Sequence, residues 1–151
     1  MADVFEVKNP DYARCVEQLV LAMPAAKFVQ LRFLEILPGS VTVEIPTREE
    51  LTFRPDQFQA TAIFAAADFA AVSACATLLP EGWLIATIDC SLKIVGPAAG
   101  GRLIAQGRVV KPGRLLSVAS ADVYIERGGQ RELSATALVT TRNIAPAKIS
   151  G

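Results

Sequence analysis

Residues 58–79, FQATAIFAAADFAAVSACATLL, are almost entirely apolar but carry one carboxylate, Asp68, near their middle. The length of this stretch and its content of Ala, Leu and Phe predict a helix. Its apolar residues surround the helix axis, which is typical of a helix that is buried or that spans a membrane. A span is disfavoured because an Asp at its centre costs about 3 kcal/mol. We therefore expect a buried helix and no membrane partner.

The composition of the chain excludes several classes of function. Its 151 residues suggest one domain, and 15 basic residues balance 15 acidic ones, so no nucleic-acid partner is expected. The chain contains no histidine, which excludes Ser-His-Asp triads and histidine general bases. Cys15, Cys75 and Cys90 lack the spacing of a zinc site and are expected to be small buried hydrophobes in a reducing compartment. We expect no metal and no cofactor.

The N-terminal half is expected to begin with a helix and a hairpin. The first residues, MADVFEVKNPDY, lack the apolar segment of a secretory signal, so a cytoplasmic location is expected. Asn9-Pro10 predicts a helix start and Met23-Pro24 predicts its end. The turn Pro38-Gly39-Ser40 predicts a hairpin. Alternating apolar and polar residues at 41–45 predict that the second strand of this hairpin is half-buried.

The C-terminal half is predicted to form four strands, and their short turns indicate antiparallel neighbours. In the first strand, the alternation places on one face Ala86, Ile88, Cys90, Leu92 and Ile94, and on the other Thr87, Asp89, Ser91 and Lys93. One apolar helix beside a continuous antiparallel sheet suggests an α+β fold in which the sheet wraps the helix. We expect a helical segment at 1–26 packed on a main domain at 27–142, and a flexible tail at 143–151.

Asp68 is the first candidate for chemistry. A carboxylate buried among apolar side chains is unfavourable when ionised, so its pKa is expected to rise unless hydrogen-bond donors compensate. Such acids are candidates for general acid–base or nucleophilic catalysis. Two alternatives are structural. Asp68 accepts hydrogen bonds from a neighbour and only fixes the packing, or it lies on a narrow polar stripe with Ser73 and Thr61.

The start of the same helix is the second candidate. Backbone amides at Gln59, Ala60 and Thr61 would be free at its positive end, where they can polarise a carbonyl or hold a developing oxyanion. Every helix has such an end, so the feature alone is weak. Asp68 lies roughly 13 Å further along the axis, too far for one helix to bring both groups to one atom. Two antiparallel copies would bring them together, which predicts a homodimer if the site is real.

These stretches resemble a known family. FQATAIFAAADFAAVSACATLLPEG, then IATIDCSLKIVGPAAGGRLIAQGRVVKPGRLLSVASADVY and LSATALVTT, are similar to hotdog-fold thioesterases of the PaaI-like acyl-CoA thioesterase group. The resemblance covers residues 27–141 and implies a hotdog fold, an antiparallel sheet wrapped around one long central helix. In that family the central helix begins with His-Gly-Gly or His-Ala-Gly, and an acid follows nine positions after the His. Here Gln59-Ala60-Thr61 occupies the first motif and Asp68 the acidic position.

The resemblance implies hydrolysis of acyl-CoA thioesters by homodimers or homotetramers. Asp68 would activate water or attack the thioester directly, and the Ala60 amide would polarise the thioester carbonyl from the partner subunit. Thr87 stands where some relatives place a hydroxyl that positions the attacking water. Alternatively, it is a surface-facing strand threonine.

The turn of Lys111, Gly113 and Arg114 would help to hold the CoA nucleotide in this family. Alternatively, Lys111 and Arg114 are ordinary solvated turn charges.

Three departures from the family pattern support a second hypothesis. Gln59 replaces the His and keeps a donor and an acceptor, but it cannot titrate. Thr61 replaces Gly and its branched side chain would narrow access to the helix start. Phe53 stands where relatives often carry Asn or Gln. The alternative function is therefore a hotdog protein that binds acyl-CoA or a similar ligand without hydrolysing it. A hotdog dehydratase or hydratase is disfavoured because such enzymes normally need a catalytic His.

Overall fold

The computed structural model describes residues 4–148, which form three helices and eight strands. The first half contains helices α1 (Tyr12–Leu21) and α2 (Pro24–Phe28), strands β1 (Arg32–Leu37) and β2 (Ser40–Ile45), a 3-10 turn (Glu49–Leu51), and strands β3 (Thr52–Arg54) and β4 (Gln57–Phe58). The second half contains helix α3 (Ala60–Ala76) and strands β5 (Leu84–Ile94), β6 (Arg102–Lys111), β7 (Leu116–Arg127) and β8 (Gln130–Ile144).

Six strands form one antiparallel sheet in the order β1-β2-β6-β7-β8-β5. Helix α3 packs across this sheet and contacts β2, β5, β6, β7 and β8. The predicted α+β fold, with an antiparallel sheet around one central helix, is confirmed. No helix within residues 4–148 combines the length and the hydropathy that a membrane crossing needs.

Strand β5 lies at an edge of the sheet, although its connection to β6 is short. The sequence predicted that these two strands are neighbours, and this is wrong, because β5 pairs with β8 while β6 lies between β2 and β7. The chain crosses from one position to the other through residues 95–101. Hydrogen bonds to the segment before α3 hold this crossing in place, since the Phe58 amide donates to the Ala98 carbonyl at 3.0 Å and the Gly100 amide to the Asp56 carbonyl at 2.9 Å.

Small residues bring α3 close to the sheet. Six of the nine buried residues of α3 are alanines: Ala62, Ala66, Ala67, Ala70, Ala71 and Ala74. On β6, Gly107 faces the backbone of Ala70 so closely that a Cβ on this glycine would collide with it. Just after the helix, the hydroxyl of Thr77 accepts the Gly39 amide at 2.8 Å, which ties the end of α3 to the β1–β2 turn.

The hairpin predicted around residues 38–40 is confirmed, and Gly39 has the positive φ (+74°) that its tight turn requires. Strand β2, however, is buried on both faces rather than half-buried. Its outward carboxylate, Glu44, has a side chain only 5% exposed because Arg32 and Arg102 from the flanking strands both pair with it. The aliphatic stems of these arginines cover a face that alternation alone marks as open to water.

Two element ends differ from the sequence prediction. Helix α1 begins at Tyr12, because the Asn9 side chain accepts the Asp11 amide at 3.0 Å and forms a turn before the helix instead of capping it. Strand β8 continues to Ile144, so residues 143 and 144 belong to the sheet and not to a tail. Residues 1–3 of the predicted N-terminal segment and 149–151 of the predicted tail lie outside the described residues.

Replacing Gly107 with valine should lower the free energy of unfolding by about 1–3 kcal/mol, since the new side chain would press α3 away from β6. The measurement is chemical denaturation followed by circular dichroism. Arg108→Val is the matched control, because residue 108 is the exposed neighbour on the same strand. Equal denaturation midpoints for Gly107→Val and the unmodified protein would contradict the close contact.

Candidate active site

One face of α3 remains uncovered by the sheet. Its residues are half-buried or exposed, in contrast to the buried alanines, and recur at helical spacing: Thr61, Phe64, Ala65, Asp68, Phe69, Val72 and Ala76. We call this set the uncovered face. Asp68 lies at its middle, half-buried between apolar neighbours. Ser73 is buried on the opposite side of the helix, so a polar stripe that joins Asp68 with Ser73 is wrong.

The carboxylate of Asp68 has one hydrogen-bond partner among the described residues. The hydroxyl of Thr87 on β5 donates to Asp68 Oδ1 at 2.9 Å. Burial raises the pKa of Asp68 above its ordinary value, because the carboxylate loses solvation, and the Thr87 hydrogen bond lowers it in part. The predicted direction is therefore confirmed, and Asp68 is a candidate for general acid–base chemistry.

A β-bulge aims Thr87 at the helix. The pairing of β5 with β8 shifts after Thr87, and Ile88 is left as an extra residue. Thr87 lies opposite the buried Thr141, and Cys90 lies opposite the buried Val139, so both face α3. The sequence prediction that Thr87 and Cys90 point to opposite faces is wrong, because the bulge resets the alternation. Thr87 is exposed, as the surface-facing alternative expected, but its hydroxyl also contacts Asp68.

Cys90 is a member of this neighbourhood that sequence analysis missed. It is half-buried, as is Cys15, whereas Cys75 is fully buried as predicted. Burial raises the pKa of the Cys90 thiol, and the nearby carboxylates of Asp68 and Asp89 raise it further. Both effects favour the neutral thiol over the nucleophilic thiolate. No signal in the sequence marked it, because its position depends on the bulge.

The start of α3 leaves one amide free. Gln59 is the N-cap, and its side-chain Oε1 accepts the Thr61 amide at 2.6 Å and also the Thr61 hydroxyl. The Gln59 carbonyl accepts the amides of Ala62 and Ile63. Within the described residues, the Ala60 amide has no acceptor. Of the three amides predicted to be free, Ala60 is thus the one that can bind an oxygen of a ligand.

A cleft of about 640 Å³ opens at this helix start. Its walls include Phe53, Gln59 and Ala60 on one side, and Ile94 at the end of β5 and Pro97 of the crossing segment on the other. Phe53 is 60% exposed, and its ring lies 5.2 Å from the guanidinium of Arg54. Asp68 does not line this cleft, because it lies about 12 Å further along the helix.

The turn of Lys111, Gly113 and Arg114 lies towards the other end of α3. The Gly113 carbonyl accepts the side chain of Asn143 at 2.7 Å, and Asn143 pairs with Ile85 at the start of β5. Lys111 and Arg114 are exposed. Within one protomer the predicted residues therefore fall into three places: the helix start, the Asp68–Thr87 pair, and this turn.

The comparisons with known proteins bear on the fold. No protein-family model matches the chain, and no curated protein sequence matches it. A thioesterase family protein from Silicibacter pomeroyi has a structure that matches 89% of this chain and 99% of its own, with a TM-score of 0.84 and 28% identity.

Two more distant solved structures also match. A thioesterase from Haemophilus influenzae covers 94% of this chain and 92% of its own, with a TM-score of 0.77 and 16% identity. The Escherichia coli PaaI protein from the phenylacetic acid degradation operon covers 93% and 97%, with a TM-score of 0.79 and 16% identity. The chain has the hotdog fold, and it is similar to thioesterase-superfamily proteins that include PaaI.

Replacing Thr87 with valine should raise the pKa of Asp68 further, because the hydroxyl that stabilises the ionised carboxylate is lost. Thr87→Ser retains a donor and should titrate like the unmodified protein. The measurement is an NMR titration of the Asp68 carboxyl carbon. If all three proteins have the same titration midpoint, the hydrogen bond does not influence this carboxylate.

Proposed function

We propose that this hotdog-fold protein is an acyl-CoA thioesterase, with Asp68 as its general base or nucleophile. The observation that carries the proposal is the half-buried carboxylate on the uncovered face of α3, held by Thr87 and with its pKa raised by desolvation. A base is most efficient when its pKa approaches the working pH. The names of the structural neighbours support a thioesterase-type function.

The hydrolysis is a proton relay between water, Asp68 and the leaving thiol. Asp68 takes a proton from a water that Thr87 helps to orient, and the hydroxide attacks the thioester carbonyl. The oxyanion that develops accepts the Ala60 amide of a second copy of the chain. The C–S bond then breaks, the proton passes from Asp68 to the sulfur of CoA, and the carboxylic acid leaves. In the nucleophilic variant, Asp68 attacks the carbonyl itself and water hydrolyses the resulting anhydride.

A second copy is needed because Ala60 and Asp68 are about 12 Å apart along one helix. The edge strand β5 supports this proposal. It is 11 residues long, pairs on one side only, and exposes Leu84, Ile88 and Ile94. Such a long apolar edge is a template for pairing with another chain. Antiparallel pairing of two β5 edges would set the uncovered faces of the two helices against each other, in a homodimer or in a tetramer of two such dimers.

The cleft and the distant turn complete the proposed substrate site. Gln59 and Thr61 would shape the helix start, and Phe53 would border the thioester. In a twofold assembly, the β6–β7 turn with Lys111, Gly113 and Arg114 would approach the helix start of the partner, where Lys111 and Arg114 would meet CoA phosphates. A cytoplasmic location, where acyl-CoA is formed and used, remains a prediction.

Replacing Asp68 with asparagine should lower kcat/KM for thiol release from acyl-CoA by about a hundred- to ten-thousand-fold, because the amide accepts the Thr87 hydroxyl but takes no proton from water. A thiol-reactive reagent measures the release across a panel of acyl-CoAs. Asp89→Asn, on the exposed side of β5, is the matched control and should retain activity. Undiminished release by Asp68→Asn would exclude the proposed role.

A complementation experiment tests whether the site is shared. Ala60→Pro removes the free amide yet suits the first position of the helix, and the extended backbone of Gln59 (φ −75°, ψ 150°) accommodates a following proline. Ala60→Pro and Asp68→Asn should each be inactive alone. When their subunits are exchanged at equal amounts, about a quarter of the original activity should return, since half of the dimers are mixed and hold one intact site. No recovery in verified mixed dimers would exclude a shared site.

The second candidate function is binding of acyl-CoA without turnover. The observation that favours it is the Gln59 side chain, which occupies the helix start with a group that cannot titrate. This function predicts that acyl-CoA raises the melting temperature of the protein while no thiol is released. Absence of any thermal shift across the panel would exclude it.

A further inference from the structure

An apolar cavity of about 460 Å³ lies beneath the N-terminal helix, at the far end of α3 from the cleft. All of its walls come from one protomer: α1 with the residues beside it, the last residue of α3, the segment 77–83 that follows, and the start of β5. The principal side chains are Val16, Leu19, Met23, Leu79, Trp83 and Ile85. No charged side chain is among the described residues that line it. The few polar groups, Asn9, Tyr12 and Gln18, come from α1 and the turn before it.

The cavity and the Asp68–Thr87 pair lie on the same two elements, α3 and β5. Ala76 lines the cavity and lies on the uncovered face, two helical turns after Asp68, a distance of about 12 Å. Between them that face carries Val72, an apolar and half-buried residue. On β5, Ile85 lines the cavity two residues before Thr87, about 7 Å along the strand. Helix and strand thus both connect the carboxylate with the cavity, and the helix carries the apolar Val72 between them.

Resting on the proposed function, we propose that this cavity receives the far end of an unbranched alkyl chain whose thioester carbon lies at Asp68. Along α3, the distance of about 12 Å to Ala76 corresponds to an extended chain of about ten carbons, so decanoyl and longer groups reach this side of the cavity. A butyryl group extends about 4 Å from its thioester carbon and ends before Val72, which lies about 6 Å along the helix. The substrate class is then medium- to long-chain fatty acyl-CoA, because only an apolar, slender and flexible group suits both this distance and an uncharged cavity.

Binding of a neutral alkyl probe tests the cavity without any chemistry. Trp83 is the only tryptophan of the chain and lines the cavity, so its fluorescence reports on this site alone. We expect saturable binding of 1-decanol, with affinity rising about three- to fourfold per added methylene between hexanol and decanol. 1-Butanol at the same concentrations should leave the emission unchanged. An emission that decanol does not alter would overturn the proposal.

Variants on the cavity wall locate the binding. Ala76→Leu fills the mouth of the cavity and should weaken decanol binding at least about tenfold. Leu19→Gln changes a rim residue that is 54% exposed, so it tests the same point if Ala76→Leu fails to fold. Ala13→Leu is the matched control, since Ala13 lies on α1 like Leu19 but does not line the cavity. Unchanged decanol affinity in folded Ala76→Leu or Leu19→Gln would overturn the proposal.

Hydrolysis assays separate this inference from the proposed function. If both hold, kcat/KM rises from butyryl-CoA to decanoyl-CoA, and Ala76→Leu lowers the decanoyl-to-butyryl ratio while Ala13→Leu keeps it. Decanol binding without hydrolysis of any acyl-CoA would exclude the thioesterase function and support the cavity as an alkyl-binding site. Hydrolysis with the same kcat/KM for all chain lengths, together with no decanol binding, would exclude the alkyl-binding cavity and support the thioesterase function.

Discussion

The close contact between the backbone of α3 and Gly107 of β6 governs the arrangement of the rest of the molecule. Because the buried side of the helix consists mainly of alanines, the axis lies near the sheet. The sheet covers this alanine-rich side, and five of its strands contact α3. On the uncovered face, Asp68 accepts a hydrogen bond at 2.9 Å from Thr87 of the edge strand β5. The small residues at this contact, the alanines of α3 and Gly107, therefore set the distance between helix and sheet, and with it the distance between Asp68 and the strands.

The two ends of α3 have different electrostatic roles. Its start holds the positive end of the peptide dipoles and one free amide. Its middle holds a carboxylate in a poorly solvated place, and its end borders an uncharged cavity. A substrate with a polar head, a reactive thioester and an apolar tail matches this order only if the helix start that binds its polar part belongs to another copy of the chain. The exposed edge β5 provides the surface on which two copies would meet.

Sequence predicted what depends on local properties. The apolar run that became α3, the turn at residues 38–40 and the raised pKa of Asp68 all follow from neighbours in the chain. The sequence predictions were wrong where the pairing of distant strands determines side-chain orientation, strand order or burial. The Ile88 bulge reverses the face of Thr87, the crossing at 95–101 separates β5 from β6, and Glu44 is covered by arginines of two other strands. The candidate carboxylate was thus predictable, but the orientation of its hydroxyl partner was not.

The cap at the start of α3 has a consequence for how the cleft responds to acidity. Gln59 satisfies the Thr61 amide with an uncharged carbonyl oxygen, and the chain has no histidine. A histidine at this position would gain or lose charge between about pH 5 and 8 and would repel or attract an anion accordingly. With glutamine, the first helical turn presents the same potential to a phosphate or an oxyanion across that whole interval. Acidification would therefore act on this protein through its carboxylates, while the anion-facing side of the cleft stays unchanged.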